Sequence, residues 1–309
     1  MKNKLKSSAK RTFQRLVRRI RHWLLYIEPI PNEVPFDNTY PWLNLTFLEL
    51  MSDELCAKKP TYVWGTIQGA ALGKVLNIPR LSVIEFGVAG GVGLISLEHT
   101  AQLIEAKINI GIDVYGFDTG CGLPAPNDYW DQPNMWFEGQ LPMNRDILEQ
   151  ELQNASLRIG LVRETVPQFL KEHPTPVAFV GFDLDLYSST RDAMVLFSSD
   201  YQCLLPRVVC YFDDIMGHSY SDFTGERLAI REFNEAHATR KLSPIYGLRY
   251  FVPETFRQMM YWDCLYIAHF FDHPLYNKLD SLSKAVYTDH KGLVYREPID
   301  SDWRSKIPL

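Results

Sequence analysis

The chain has 309 residues, of which 46% are hydrophobic and 22% are charged, so it can bury a sizeable core and is neither a disulfide-held peptide nor a disordered chain. The formal net charge of −5 and the sequence pI of about 5.9 argue against nucleic acid as a partner. The basic residues are nevertheless uneven, because the first 22 positions hold nine of the 32 Lys and Arg residues and no acidic one.

Cysteine usage and hydropathy indicate a cytoplasmic protein. The five cysteines form no CxxC pair, and their odd number is unlike a disulfide framework or a zinc site. The apolar run at residues 23–27 is too short for a secretory signal, and no run of about 18 apolar residues exists that could span a membrane. We therefore expect reduced thiols and no transmembrane segment.

Residues 1–30 form a basic N-terminal arm. Apolar residues, among them Phe13, Val17 and Ile20, recur in it at helical spacing while the arginines take the other face, which predicts an amphipathic helix. Two interpretations stay open. Residues 1–27 could contact the inner face of an anionic membrane peripherally, where each basic residue contributes about 1 kcal/mol. Alternatively, the arm is solvated, or it packs on the core or on a second subunit of a homo-oligomer.

The segments after the arm predict an α/β fold. Residues 31–80 indicate a helical connector, and from residue 81 onward short runs rich in Val, Ile and Phe alternate with helix-length segments. This alternation predicts a mostly parallel sheet with helices on both faces. The predicted strands are 81–86, 112–117, 157–162, 177–182 and 208–212, with 248–252 and 259–271 as an antiparallel addition at the edge. The core would span residues 81–273, followed by a polar tail at 274–309.

A glycine-rich segment, residues 87–93, follows the first predicted strand and is named here the glycine turn. Ligands of open α/β sheets bind beyond the carboxyl ends of strands, where glycines permit close backbone approach, so we expect a cofactor at Gly87 and Gly91. The segment nearly reproduces the GxGxxG fingerprint, and a dinucleotide is therefore a rival ligand. Glu85, and Asp118 at the end of the next strand, favour S-adenosylmethionine, because a carboxylate can accept hydrogen bonds from ribose hydroxyls. A third interpretation is that the glycines only pack a helix against a strand.

Acidic residues follow the fourth and fifth predicted strands. Asp183 and Asp185 come directly after one, and Asp213 and Asp214 directly after the other. These strand ends can be neighbours in a parallel sheet, and carboxylates so close together call for a compensating cation. An all-oxygen set suits Mg²⁺ or another hard divalent cation. The simpler alternative for Asp183 and Asp185 is that one of them caps the helix that follows.

Four segments, taken together and in this order, resemble the macrocin/mycinamicin-type sugar O-methyltransferases. They are EFGVAGGVG (85–93), VYGFDTGCGLP (114–124), FDLDLYSST (182–190) and YFDD (211–214). The resemblance covers roughly residues 61–270 and implies a Rossmann-like class I methyltransferase fold, S-adenosylmethionine as methyl donor, and a divalent metal, typically Mg²⁺, that holds the acceptor hydroxyls.

The same resemblance assigns individual residues by motif position. It implies Asp183, Asp213 and Asp214 as metal ligands, and Glu85, Gly87 and Asp118 as residues lining the cofactor site. The chain departs from the family at Leu184, where Gly is usual, and at Ala89, where Arg is common. Leu186 stands where catechol methyltransferases have a lysine base, which disfavours a catechol acceptor.

The resulting prediction is a metal-dependent O-methyltransferase acting on a hydroxyl of a sugar or glycoside. His218, four residues beyond Asp214, and Asp185 are the candidate catalytic bases. A surface or lipid-linked glycan would suit the basic arm, and a natural-product glycoside would suit the family. The aromatic segment 129–136 is interpreted as a lid that could stack on sugar faces.

Two other functions stay open on the sequence. Residues 183–185 also fit the DxD pattern of metal-dependent glycosyltransferases, although such an enzyme would leave the glycine turn and Asp118 without a role. A catalytically silent scaffold with a cofactor fold, tethered by its basic arm, is the second alternative.

Overall fold

The computed structural model describes residues 41–277, 286–288 and 294–296. The basic arm predicted at residues 1–30 lies outside these residues, as does most of the tail predicted at 274–309, so both stay predictions. Among the helices of the described residues, none combines the length and the apolar character that a membrane crossing requires.

Within the described part of the chain, seven strands form the central sheet: β1 (Arg80–Phe86), β2 (Gly111–Asp118), β3 (Ser156–Ile159), β4 (Val177–Phe182), β5 (Leu204–Phe212), β6 (Arg240–Pro244) and β7 (Leu265–Phe270). Their order is β3-β2-β1-β4-β5-β7-β6. Strands β1 to β5 pair in parallel, whereas β7 is antiparallel to both of its neighbours. A separate antiparallel pair joins β8 (Val286–Thr288) and β9 (Val294–Arg296). The Rossmann-like, mostly parallel sheet with an antiparallel addition at its edge, which the sequence predicts, is confirmed.

The helices that surround the sheet are α1 (Pro41–Leu50), α2 (Pro60–Val75), α3 (Val92–Ile108), α4 (Arg145–Glu151), α5 (Val162–Lys171), α6 (Tyr187–Ala193) and α7 (Gly225–Ala236). Helix α2, in the predicted connector, packs closely on the sheet. A Cβ on Gly65 would lie 2.4 Å from the Phe179 ring, and one on Gly69 would lie 2.7 Å from the Ala178 carbonyl oxygen. Glycine at these two positions, one helical turn apart, therefore lets the helix backbone approach β4.

Phenylalanines end the three central strands and hold these ends side by side. Phe86, Phe182 and Phe212 occupy matching register positions in β1, β4 and β5. The rings of Phe182 and Phe212 are stacked with centroids 4.6 Å apart, and Phe86 lies 5.4 Å from Phe182. All three side chains are fully buried. The turns that follow these phenylalanines therefore begin next to one rigid cluster of aromatic rings.

The predicted strands agree best with the structure where the sequence is most apolar. Strand β4 has the predicted bounds, whereas β5 begins four residues earlier than predicted. Strand β3 ends at Ile159 rather than at 162, because Gly160, with a φ of 137°, turns the chain into α5.

The expected antiparallel addition is present, but only part of it lies on the residues that the sequence predicts. Residues 248–252 were predicted as a strand, and this is wrong, because Gly247 with its φ of 72° begins a 3-10 helix at Leu248–Tyr250. Of the predicted segment 259–271, the second half forms β7, while Met260–Cys264 is a 3-10 helix. Strand β6 was missed because its short, mostly polar sequence RKLSP carries no strand pattern.

Candidate cofactor and metal site

A cavity of about 310 Å³ opens at the carboxyl edge of the parallel strands. The turns after β1, β2, β3 and β4 bound it, and they contribute the glycine turn, Asp118, residues 160–162 and residues 183–185. This volume is within the usual range of small-molecule sites, which is about 300–1,000 Å³. Two predicted groups, the glycines and the acids after β4, thus line one cavity.

The backbone of the glycine turn adopts a conformation and a close approach that residues with a Cβ atom would prevent. Gly87 and Gly91 have left-handed φ values of 82° and 84°. A Cβ on Gly87 would lie 1.7 Å from the carbonyl oxygen of Asp183, so only glycine lets the β1 turn touch the β4 turn. Gly91 directly precedes α3, and the first amide groups of a helix have no partners within that helix. The turn is therefore suited to hold a nucleoside with a polar chain.

Asp118 fixes the turn from the neighbouring strand. Its Oδ2 accepts hydrogen bonds from the amides of Val88 and Ala89, both at 2.9 Å, and its Oδ1 accepts one from Gly120 at 2.6 Å. A carboxylate has about four lone-pair positions, so one remains for a ribose hydroxyl. The predicted role of Asp118 at the cavity is thus compatible with its structural one.

Glu85 lies buried behind the glycine turn and lines the cavity. The Tyr62 hydroxyl donates to its Oε1 at 2.8 Å, whereas Oε2 has no hydrogen-bond partner among the described residues. Burial raises the pKa of Glu85 to about 8, and the nearby charge of Asp183 adds to the shift, while Lys59 opposes it. A buried carboxyl oxygen without a partner at a cavity wall is a natural contact for a polar or cationic ligand group.

Gly93 is the residue that makes room for Glu85. A Cβ at this position would lie 1.7 Å from Glu85 Oε1. The end of β1 and the first turn of α3 therefore fit together only while residue 93 lacks a side chain. The sequence pattern had placed this glycine in the turn, but its fit against Glu85 is visible only in the structure.

The acids after β4 and β5 meet as the sequence predicts. Asp183, Asp213 and Asp214, called here the aspartate cluster, each offer a carboxylate oxygen, and these oxygens lie within 4.8 Å of one another. Burial raises the pKa of Asp183 and of Asp214, and the charge of Asp213 raises both further. Closely placed oxygen donors fit a hard divalent cation such as Mg²⁺, whose positive charge would favour the ionised forms of Asp183 and Asp214.

Neighbouring side chains orient the aspartate cluster. Tyr211 donates a hydrogen bond to Asp213, and Tyr220 donates one to Asp214 Oδ1 at 2.9 Å. The buried Glu226 accepts a hydrogen bond from the Asp214 amide at 3.0 Å. Such supporting contacts around ligating carboxylates tune the affinity of metal sites.

Lys59 supplies a positive charge to the cluster. Its Nζ lies 3.6 Å from Asp183 Oδ2 and 5.1 Å from the centroid of the Tyr62 ring. The residue immediately precedes α2 and lines the cavity, and its side chain is 24% exposed. Lys59 is not predictable from the sequence, because nothing in its local pattern signals an aspartate 124 positions away.

Asp185 lies in the cavity beside the cluster. Its side chain is buried, its φ is a left-handed 61°, and its amide donates to Asp214 Oδ2 at 3.1 Å. Burial, followed by the charge of Asp214, raises the pKa of Asp185. A non-glycine residue held in this strained conformation at a cavity wall is typical of functional positions.

Neither Asp183 nor Asp185 caps the helix that follows them, so that alternative is wrong. Helix α6 has no side-chain cap from its own N-cap residue, Leu186. Instead Asp131, fully buried, accepts hydrogen bonds from the Ser188 amide at 2.8 Å and from its hydroxyl at 2.9 Å. The acids after β4 are thereby left available to the cavity.

The two other predicted functional features lie away from the cavity. His218 is exposed on the turn after β5 and is not a wall residue, whereas Tyr220, two positions further on, reaches the cluster. No residue of the aromatic segment 129–136 lines the cavity formed by the described part of the chain. Its Gln132 side chain donates to the Ser219 carbonyl at 2.8 Å, which ties the segment to the β5 turn.

No protein-family model matches the sequence, and no curated protein matches it. Similar solved structures include CalS11, a calicheamicin methyltransferase, at 22% identity and TM-score 0.45, over 70% of this chain and 91% of that one. The O-methyltransferase NovP is 17% identical at TM-score 0.41, over 54% of this chain and 69% of that one. An O-methyltransferase from Bacillus cereus, in complex with SAH, is 16% identical at TM-score 0.35, over 81% of this chain and 96% of that one. At this level of similarity, any inference about function depends on the site alone.

Proposed function

We propose that the protein is an S-adenosylmethionine- and metal-dependent O-methyltransferase whose acceptor is a hydroxyl of a sugar or glycoside. The observation that carries this proposal is the convergence of two distinct groups on one cavity. One is the glycine turn with Asp118, which suits a nucleoside. The other is Asp183, which lines the same cavity and belongs to the aspartate cluster, a set of oxygen donors that suits a divalent cation.

Each group has a separate task in the reaction. The glycine turn and Asp118 hold the nucleoside of S-adenosylmethionine, which supplies the methyl group. Asp183, Asp213 and Asp214 hold the cation, which supplies positive charge that lowers the pKa of a bound hydroxyl. Alignment of an acceptor oxygen with the methyl carbon needs both anchors at fixed positions, and the abutting turns of β1 and β4 provide this rigidity.

Asp185 is the residue that we propose to take the proton of the acceptor hydroxyl. Asp185 lines the cavity two positions after Asp183, whereas His218 is exposed and outside the cavity wall. Geometry therefore favours Asp185 over His218 as the base.

Binding measurements test the proposal first. S-adenosylhomocysteine should bind the full chain in isothermal titration calorimetry, and nucleotide sugars should bind only as acceptors, in its presence. Tight binding of a nucleotide sugar, without any binding of S-adenosylhomocysteine, would instead identify a glycosyltransferase.

Methyl transfer to a panel of sugar nucleotides, glycolipids and glycosides, with and without chelator, then identifies the acceptor. Asp183→Ala and Asp213→Ala should abolish metal-dependent transfer without unfolding the chain, because they remove ligands rather than core. Asp200→Ala, which removes an exposed carboxylate outside the cavity, is the matched control and should retain full activity. Full turnover by either cluster variant would refute the metal assignment.

A further inference from the structure

A second group of metal-ligating side chains lies outside the cavity. Asp53, Cys56 and His99 each offer one donor atom, and the three atoms lie within 4.8 Å of one another. His99 Nε2 is 3.0 Å from Asp53 Oδ2, and Cys56 Sγ is 3.4 Å from Thr100 Oγ1. None of the three ligating residues lines the cavity described above.

Two separate segments bring these donors together. His99 lies on α3, whereas Cys56 begins the 3-10 helix Cys56–Lys58, and Asp53 precedes it. Asp53 Oδ1 accepts hydrogen bonds from the amides of Leu55 at 2.9 Å and Cys56 at 3.2 Å. These bonds fix the carboxylate, while its Oδ2 contacts the imidazole. The donor set is therefore largely preorganised.

The donor types distinguish this group from the aspartate cluster. Sulfur, nitrogen and oxygen donors together are typical of Zn²⁺, whereas an all-oxygen set suits Mg²⁺. Bonds of about 2.0–2.3 Å in a tetrahedral Zn²⁺ site imply ligand separations of roughly 3.3–3.6 Å. The distances between the three donor atoms thus need to change by at most about 1.5 Å, and water or the Thr100 hydroxyl can take the fourth position.

We propose that Asp53, Cys56 and His99 form a binding site for a zinc-type divalent cation. The thiol of Cys56 is fully buried, but the side chains of Asp53 and His99 are 35% and 28% exposed and give the ion a route from solvent. On binding, Cys56 releases its thiol proton to solvent. The thiolate and the Asp53 carboxylate then balance the two positive charges, and His99 ligates as neutral imidazole.

The position of the site gives it a structural consequence. The 3-10 helix that carries Cys56 ends one residue before Lys59, which contacts Asp183, and α3 begins at the glycine turn. A cation bound here would clamp the segment that carries Lys59 to the helix that carries His99. Its binding should therefore raise the thermal unfolding temperature of the chain.

The experiment measures metal binding by the full chain in the Asp183→Asn background, which disables the aspartate cluster. We expect one equivalent of Zn²⁺ in competition with a chromophoric chelator, and a thiolate-to-metal absorption band when Co²⁺ replaces Zn²⁺. Cys56→Ala should lose the band. Cys121→Ser, which removes the exposed thiol, should keep it and serves as the matched control.

His99→Ala is the second variant, because this partly exposed side chain can be removed without opening the core. It should weaken Zn²⁺ binding by more than the roughly 10- to 100-fold that outer-sphere changes cause. The proposal is overturned if the parent chain binds no Zn²⁺, if Cys56→Ala keeps the Co²⁺ band, or if His99→Ala binds Zn²⁺ with unchanged affinity. If Cys56→Ala does not fold, the His99→Ala measurement decides.

Discussion

Gly87→Ala should damage the cofactor and the metal parts of the cavity together. The added Cβ would lie 1.7 Å from the carbonyl oxygen of Asp183, far inside van der Waals contact. The obstacle is backbone, so no side-chain rotation can relieve the overlap. Either the glycine turn or the turn that carries Asp183 must move, and each is needed in place for one of the two ligands.

The size of the effect follows from two terms. A residue with a Cβ at the left-handed φ of 82° costs roughly 1–2 kcal/mol. Overpacking against a well-packed neighbour costs a further 1–3 kcal/mol, approximately. The free energy of unfolding should therefore fall by about 2–5 kcal/mol, and for a domain of this size each kcal/mol lowers the melting temperature by roughly 2–4 °C.

Chemical unfolding and calorimetry measure the two consequences. Gly90→Ala is the matched control, because it lies in the same turn but a Cβ there meets no atom within 4 Å. The control should stay within about 0.5 kcal/mol of the parent chain. Gly87→Ala should be less stable and should bind both S-adenosylhomocysteine and Mg²⁺ more weakly. Equal stability of the two variants, with both affinities retained, would refute the claim that the β1 and β4 turns depend on each other.

Three further predictions concern side chains around the cavity. Tyr220→Phe removes the hydroxyl that donates to Asp214, so Mg²⁺ affinity should fall by about 10- to 100-fold in titration calorimetry while the melting temperature stays unchanged. Unchanged Mg²⁺ affinity would contradict the role of Tyr220 in orienting Asp214. Asp131→Ala leaves the buried amide of Ser188 without its acceptor and should lower the free energy of unfolding by about 1–3 kcal/mol in urea. An unchanged urea midpoint would contradict this prediction. Glu85 keeps its proton in the folded chain up to a pKa of about 8 but releases it near 4.5 when unfolded, so the stability of the metal-free chain should fall as pH rises between these values. Glu85→Gln should show a shallower fall, because the raised pKa values of Asp183, Asp185 and Asp214 remain in it, and parallel stability curves for the two proteins would show the Glu85 shift to be absent.

The aspartate cluster was predictable because its signal is local. In β4 and β5 a buried apolar run is followed at once by acids, and the parallel arrangement of the strands carries both sets to the same edge. The glycine turn was predictable for the same reason. The sequence could not show that Tyr220, rather than His218, reaches the aspartate cluster. Both residues lie on one irregular turn, whose path depends on contacts with Gln132 and Asp214.

Capping shows how tertiary structure can overrule a local pattern. Asp183 and Asp185 stand at the usual place for a helix cap, just before α6, but Asp131 takes that role from a segment more than 50 positions earlier. Lys59 reaches Asp183 in a comparable way from the start of α2.

The sequence by itself determined the fold class, the parallel strands and the edge at which the acids collect, because the period of a buried strand and the residues that end it lie within a few neighbouring positions. Only the tertiary structure decided which side chains complete each group: Lys59 at the aspartate cluster, Tyr62 on Glu85, and Cys56 beside His99. These contacts join segments that the chain separates by 23 to 124 positions, and they form only when whole elements pack against one another.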